Sequence, residues 1–156
     1  MMAIEPGAMI PDVTLVAADG TPLKLRDKTG APFVLYFYPK DDTTGCTREA
    51  QDFTALYSEF RKSGADVLGV SADTPAKHRK FTAKYDLAVP LASDDEHVAM
   101  EAFGVWVEKS MYGRQYMGIE RSTFLFAADG TLAQVWRKVK VAGHAEAVLA
   151  AVKSLT

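Results

Sequence analysis

The chain has 156 residues, 48% of them apolar and 24% charged, with a formal net charge of −2 at pH 7. That is enough for one domain over residues 1–156 with a full core, and it excludes the basic footprint of a nucleic-acid or anionic-membrane binder. The longest apolar runs are far too short to span a bilayer, and a single cysteine, Cys46, allows neither an intramolecular disulfide nor a cysteine-based zinc site.

The first residues, Met1 to Gly7, lack the charged segment and long apolar stretch of a secretory leader. With the lone cysteine, this predicts a reducing, cytoplasmic setting. Val13–Ala17 and Thr21–Leu25 flank Ala18-Asp19-Gly20 and predict an amino-terminal β-hairpin, with Pro22 confining the second arm to an edge. Phe33 to Tyr38 is an unbroken run of aromatic and branched residues, the pattern of a strand buried on both faces. Pro39 ends it. Apolar residues then recur at Ala50, Phe53, Leu56, Tyr57 and Phe60, one face of a helix that Gly64 stops.

Asp66–Ser71 reads as a second buried strand, so strand, helix and strand make a parallel crossover. Asp73 or Thr74 caps the next helix, which has Pro75 at its first position and runs through His78, Phe81 and Tyr85. Val89-Pro90-Leu91 is a short extended piece. Asp94 or Asp95 opens a helix through Val98, Met100 and Phe103 that ends at Gly104. From Val105 to Glu120 no period is visible, and the segment reads as a surface excursion in which Trp106, Tyr112 and Tyr116 serve packing. Ser122–Ala127, the turn Ala128-Asp129-Gly130 and Leu132–Trp136 predict a second hairpin. A last helix starts near Gly143-His144 and turns Ala147, Val148, Ala151, Val152 and Leu155 inward. This order predicts an α/β fold with a mixed central sheet and helices on both faces.

Thr43 or Thr44 is placed to cap the helix after Pro39, which puts Cys46 in its first turn. Unpaired backbone N–H groups and the positive end of the helix dipole there favour an anionic sulfur. A lone cysteine is more often a small core residue. Here the sharp loop and the helix start argue for a nucleophile, and Pro39-x-x-x-Thr43-x-x-Cys46 places a hydroxyl one turn ahead of the sulfur. By residue type alone, Thr43 is an N-cap, Arg121 a surface charge, Glu49 a solvated first-turn carboxylate and Pro39 a strand terminator. His78, His97 and His144 lack metal-ligand spacing and are expected to be exposed or capping; Lys40-Asp41-Asp42 is expected to be a solvated loop.

The run Tyr38-Pro39-Lys40-Asp41-Asp42-Thr43-Thr44-Gly45-Cys46-Thr47-Arg48-Glu49-Ala50 resembles the active-site loop of peroxiredoxins, in particular their Q-type, or bacterioferritin-comigratory, branch. The run from Gly113 to Leu125, which holds Glu120-Arg121-Ser122, resembles the arginine-bearing segment of that branch. The likeness continues through Asp129-Gly130 and Gly143-His144-Ala145 and so covers essentially the whole chain.

The resemblance implies a thioredoxin-like fold and reduction of hydrogen peroxide and organic hydroperoxides, without cofactor or metal. It implies that Cys46 attacks the peroxide and becomes a sulfenic acid. Thr43 would hydrogen-bond the peroxide, Arg121 would hold the sulfur and the peroxide oxygen, Pro39 would screen the oxidised sulfur, and Glu49 would orient Arg121. One departure matters: relatives with a resolving cysteine carry it five positions after the first, where this chain has Gln51, or on the next helix around Phe81 to Lys84, where there is none. A one-cysteine monomer that depends on an external thiol, from thioredoxin, glutaredoxin or glutathione, is therefore expected. A dithiol oxidoreductase is excluded because Thr43 and Glu49 occupy the partner positions of any CxxC. The alternative is a non-catalytic redox sensor or chaperone acting through oxidation of Cys46.

Overall fold

The computed structural model describes residues 4–155. The amino-terminal hairpin consists of β1 (Thr14–Ala17) and β2 (Pro22–Lys24), paired antiparallel with Leu15 opposite Leu23. Its turn is held by Asp19, whose Oδ1 accepts from the Thr21 N–H at 3.0 Å and the Thr21 hydroxyl at 2.6 Å, while Gly20 takes φ +90°. The same Ala-Asp-Gly-Thr chemistry recurs at 128–131, where Asp129 Oδ1 accepts from the Thr131 N–H at 2.9 Å and Gly130 has φ +89°.

Next come β3 (Phe33–Phe37), α1 (Thr44–Lys62), β4 (Asp66–Ser71), α2 (Pro75–Tyr85), β5 (Leu91–Ser93) and α3 (Val98–Phe103). A ribbon of β6 (Trp106–Met111) and β7 (Arg114–Ile119) precedes β8 (Ser122–Phe126), β9 (Leu132–Trp136) and α4 (His144–Ser154). Among the described residues the main sheet has seven strands in the order β2-β1-β5-β4-β3-β8-β9. β3, β4 and β5 run parallel, while β1 against β5 and β8 against β3 are antiparallel, so the sheet is mixed as expected. Pro22 lies on the edge strand β2, where a missing N–H costs nothing.

β3 is buried throughout because both of its faces are covered. Val34 and Tyr36 point to the core that holds Phe53 and Phe60 of α1, Phe81 of α2 and Val148 and Val152 of α4. Phe33, Leu35 and Phe37 point the other way, to Ala99, Met100 and Phe103 of α3 and to Phe124 and Phe126. Helices therefore cover both faces. Gly64, at φ +84°, follows the end of α1, and the Thr74 hydroxyl accepts from the Lys77 N–H at 3.3 Å to cap α2. Among the described residues no helix is long and apolar enough to cross a membrane.

Several expectations are corrected. The stretch from Val105 to Glu120 is not irregular: β6 and β7 form a two-stranded antiparallel ribbon, Trp106 opposite Ile119, closed by Tyr112 and Gly113 with φ of 52° and 78°. Tyr112 is 97% exposed and Tyr116 is exposed too, so neither is a core residue; Trp106 stacks on the His97 ring at 3.8 Å. β5 begins at Leu91 rather than Val89. α3 begins at Val98, and Asp94 reaches in from outside to accept the Met100 N–H at 2.8 Å. α4 buries Ala145, Val148, Leu149 and Val152, leaving Ala147 and Leu155 exposed.

Candidate active site

β3 delivers the chain to the loop between Tyr38 and Thr43, and buried side chains fix that loop. The Tyr38 hydroxyl donates to Asp41 Oδ1 at 2.5 Å, and Asp41 Oδ2 lies 2.7 Å from His78 Nδ1. The Asp41 N–H donates to Asp73 Oδ2 at 2.7 Å, and the Ser71 hydroxyl donates to the same oxygen at 2.7 Å. Asp41 and His78 are thus buried members of a polar network, not solvent-facing groups as their residue types suggested. His144 is buried as well, with Nε2 2.8 Å from the Thr123 hydroxyl. Burial pushes its pKa down to about 4, with help from the Arg121 charge, so it is neutral at pH 7. Asp42 takes the left-handed φ of 63° and is held by Lys84 at 2.7 Å and the Tyr85 hydroxyl at 2.5 Å.

Thr43 is the N-cap residue of α1 by backbone, its carbonyl accepting the Thr47 N–H at 2.8 Å. Its hydroxyl does not cap the helix; it donates to the Lys40 carbonyl at 3.1 Å. The first-turn N–H groups of α1 are therefore left without a side-chain acceptor from Thr43, open to an anion at the helix start.

Cys46 is the third residue of α1 and is 2% exposed. Glu49, one turn further, is 1% exposed and faces the same core. Arg121 lies in the short link between β7 and β8, where its carbonyl accepts the Val139 N–H at 3.0 Å. Its guanidinium spans the two helix residues: Nη1 is 2.5 Å from Glu49 Oε1, and Nη2 donates to Cys46 Sγ at 3.2 Å. A Cβ on Gly45 would come within 3.3 Å of Nη2, so glycine there leaves room for the fork.

Burial pushes the Glu49 pKa up to about 7 against the pull of Arg121. Burial also works against the Arg121 charge, but Glu49 and Cys46 outweigh it and its pKa is raised. We conclude that the guanidinium stays charged. Beneath the site lies Tyr36, fully buried, its hydroxyl without a hydrogen-bond partner among the described residues. Burial first, then the Glu49 and Cys46 charges, holds it protonated well above the usual phenol range.

Of the five residues singled out from the sequence, Cys46, Glu49 and Arg121 are joined directly. Thr43 and Pro39 flank them on the loop, and among the described residues no hydrogen bond ties the Thr43 hydroxyl to Cys46. The Asp41–His78–Tyr38 cluster has no local signature in the sequence, because His78 joins the other two across 37 to 40 residues of chain.

The family model of the AhpC/TSA family matches residues 6–135. Peroxiredoxin Bcp of Xanthomonas campestris is 54% identical over 143 residues, 92% of this chain and 89% of the relative. Peroxiredoxin Bcp of Bacillus subtilis is 47% identical over 155 residues, 99% of both. A solved structure of the Xanthomonas campestris bacterioferritin comigratory protein, described for its alkyl peroxide reduction activity, superposes with a TM-score of 0.90 at 50% identity, covering 96% of this chain and 98% of that one. These similarities, the thioredoxin-like fold and the single cysteine agree: the chain belongs to the AhpC/TSA family, as a one-cysteine peroxiredoxin of the Bcp, or Q, type.

Proposed function

We propose that the protein is a thiol-dependent peroxidase that reduces hydrogen peroxide and organic hydroperoxides at Cys46. The observation that carries this reading is the Arg121 fork, with one nitrogen on Glu49 and the other 3.2 Å from the Cys46 sulfur. The Cys46 thiolate attacks one peroxide oxygen, an S–O bond forms and the O–O bond breaks. The departing oxygen takes up a proton and leaves as water or alcohol, and Cys46 becomes a sulfenic acid.

Negative charge moves from sulfur along the O–O axis during this step. Arg121 and the open N–H groups at the start of α1 are fixed donors that accept that charge without reorganising. Glu49 acts through Arg121, setting the plane of the guanidinium. The Thr43 hydroxyl has its proton on the Lys40 carbonyl, so it offers lone pairs to a peroxide O–H and thereby orients the substrate. Pro39 closes the loop and screens the oxidised sulfur from water.

With one cysteine in the chain the sulfenic acid cannot close an internal disulfide, so an external thiol, from thioredoxin, glutaredoxin or glutathione, returns Cys46 to the thiol state. That Cys46, Glu49 and Arg121 come from one chain supports action as a monomer, and the unpaired cysteine supports a cytoplasmic setting. One sheet with a core on each face supports a single domain.

Peroxide consumption with and without added thiols tests the function. Many peroxides reduced per chain with a thiol, about one without, and none for Cys46→Ser are the expected results. Consumption that stops near one per chain with every thiol would favour the redox-sensor reading instead.

A further inference from the structure

A cleft of about 240 Å³ lies between the loop at 40–42 and α2. Lys77, Lys80, Phe81 and Lys84 line one side, at the i, i+3, i+4, i+7 spacing of a single helix face, and Lys40 stands on the loop side. Four lysines against three aspartates leave the cleft one positive charge in excess, on a chain whose net charge is −2. α2 itself contains no acidic residue.

Three aspartates also line the cleft, and each is already engaged. Asp41 accepts from Tyr38 and contacts His78, Asp73 accepts from Asp41 and Ser71, and Asp42 is paired with Lys84 and Tyr85. Among the described residues Lys40, Lys77 and Lys80 have no ion-pair partner. The cleft thus presents three uncommitted ammonium groups over a floor that includes the buried Phe81 ring.

The loop bordering this cleft leads straight into the nucleophile: Asp42 is four residues before Cys46, at most about 14 Å of chain. We infer that the cleft binds a small thiol bearing carboxylates, a glutathione-like molecule, and positions it to attack the oxidised Cys46. This rests on the recycling of Cys46 by an external thiol and names the chemistry of that thiol. Lysines matched to carboxylates, beside a loop whose chain supplies no second thiol, are what such a reductant needs.

Cys46 is 2% exposed, so the attack requires the first turn of α1 to loosen, and that turn has no side-chain cap to hold it. The incoming thiolate sulfur then attacks the sulfenic sulfur; an S–S bond forms, the S–O bond breaks, and hydroxide leaves as water with the proton the thiol brought. A second thiol attacks the mixed disulfide and releases the Cys46 thiolate. Two thiols are oxidised to one disulfide, and the sulfenic acid is reduced by two electrons.

The test uses the full chain oxidised to the sulfenic acid with one equivalent of hydrogen peroxide. Mixed-disulfide formation is timed by mass spectrometry with glutathione, which is anionic, and with cysteamine, which is cationic. In Lys77→Gln/Lys80→Gln the ratio of the glutathione rate to the cysteamine rate should fall by about tenfold, the sum of two surface ion pairs, and in the parent raised salt should lower the same ratio. The cysteamine reaction also reports that the variant is folded and reactive. An unchanged ratio would overturn the cleft and leave external recycling standing. Regeneration by a dithiol protein alone, with no glutathione adduct, would also overturn it, in favour of a protein reductant. Failure of every thiol to regenerate Cys46 would sink both readings together.

Discussion

Arg121 follows Cys46 by 75 residues in the chain, yet its Nη2 lies 3.2 Å from the Cys46 sulfur while its Nη1 meets Glu49 at 2.5 Å. The parallel β3–α1–β4 crossover brings the helix start to one end of the sheet. β8, hydrogen-bonded antiparallel along β3 with Ser122 opposite Phe37, brings the preceding arginine to the same end. The pairing of two neighbouring strands thus builds the contact between nucleophile and cation.

Removing that cation should cost most. Arg121→Ala is expected to lower the second-order rate of Cys46 with hydrogen peroxide by about a hundredfold or more, the usual effect of losing a donor aimed at transition-state charge. Arg121→Lys should recover only part of it, because an ammonium cannot hold Glu49 and the sulfur with one planar fork. Competition kinetics against a reference peroxidase measure both. Full recovery by lysine would show that the charge alone matters and that the fork geometry does not.

Thr43→Val separates orientation from nucleophilicity. Losing one substrate hydrogen bond should slow the peroxide reaction about tenfold. Alkylation of Cys46 by iodoacetamide, which needs no peroxide to be positioned, should keep its parent rate. Equal slowing of both reactions would mean that the substitution had disturbed the start of α1 rather than the substrate contact.

Gly69, in the middle of β4, bears on stability. A Cβ there would stand 2.6 Å from Cζ and from the hydroxyl oxygen of Tyr36 and 2.9 Å from Leu91 Cδ2. The Tyr36 ring, stacked on Phe53 at 4.6 Å and fully buried, has no room to withdraw. Gly69→Ala is expected to destabilise by about 1–3 kcal/mol, or several degrees in Tm. Calorimetry checks it; a Tm at or above that of the parent would mean that the core yields more than its packing implies.

The parts of this fold that were legible are those whose causes are local. The apolar run of β3, the 3.6-residue period of α1 and the Asp-Gly-Thr turns at 19–21 and 129–131 each carry their instruction within a few residues. The β6–β7 ribbon was not legible, because its residues are largely exposed on both faces and show no alternation, and because Tyr112-Gly113 is not a familiar hairpin pair. At the site, Cys46 and Arg121 stood out through their motifs. The burial of Glu49 did not, since a carboxylate in a first helical turn is normally solvated. Asp41 and His78 stayed hidden for the same reason: each reads as a surface group until a residue from 37 positions away covers it.

Glu49 and His144 should pull the pH dependence of stability in opposite directions. The Glu49 pKa is raised by burial from 4.5 to about 7, so the folded state holds a proton that the unfolded state has lost between those values. Its contribution is fully present below about 4.5 and is lost as pH rises through about 7, an effect of roughly 3 kcal/mol. The His144 pKa is lowered from 6.5 to about 4, first by burial and then by the Arg121 charge, so the unfolded state holds the extra proton. Its contribution is present above about 6.5 and is lost as pH falls through about 4. The two windows overlap, and the parent curve should be flatter between pH 4.5 and 6.5 than either group alone would make it. Urea unfolding of the parent, Glu49→Gln and His144→Gln across pH 4.5 to 8 separates them. The Glu49→Gln curve should rise relative to the parent as pH increases, and the His144→Gln curve should fall relative to it. Curves that run parallel to the parent through the whole range would show that neither group changes protonation between the folded and unfolded states.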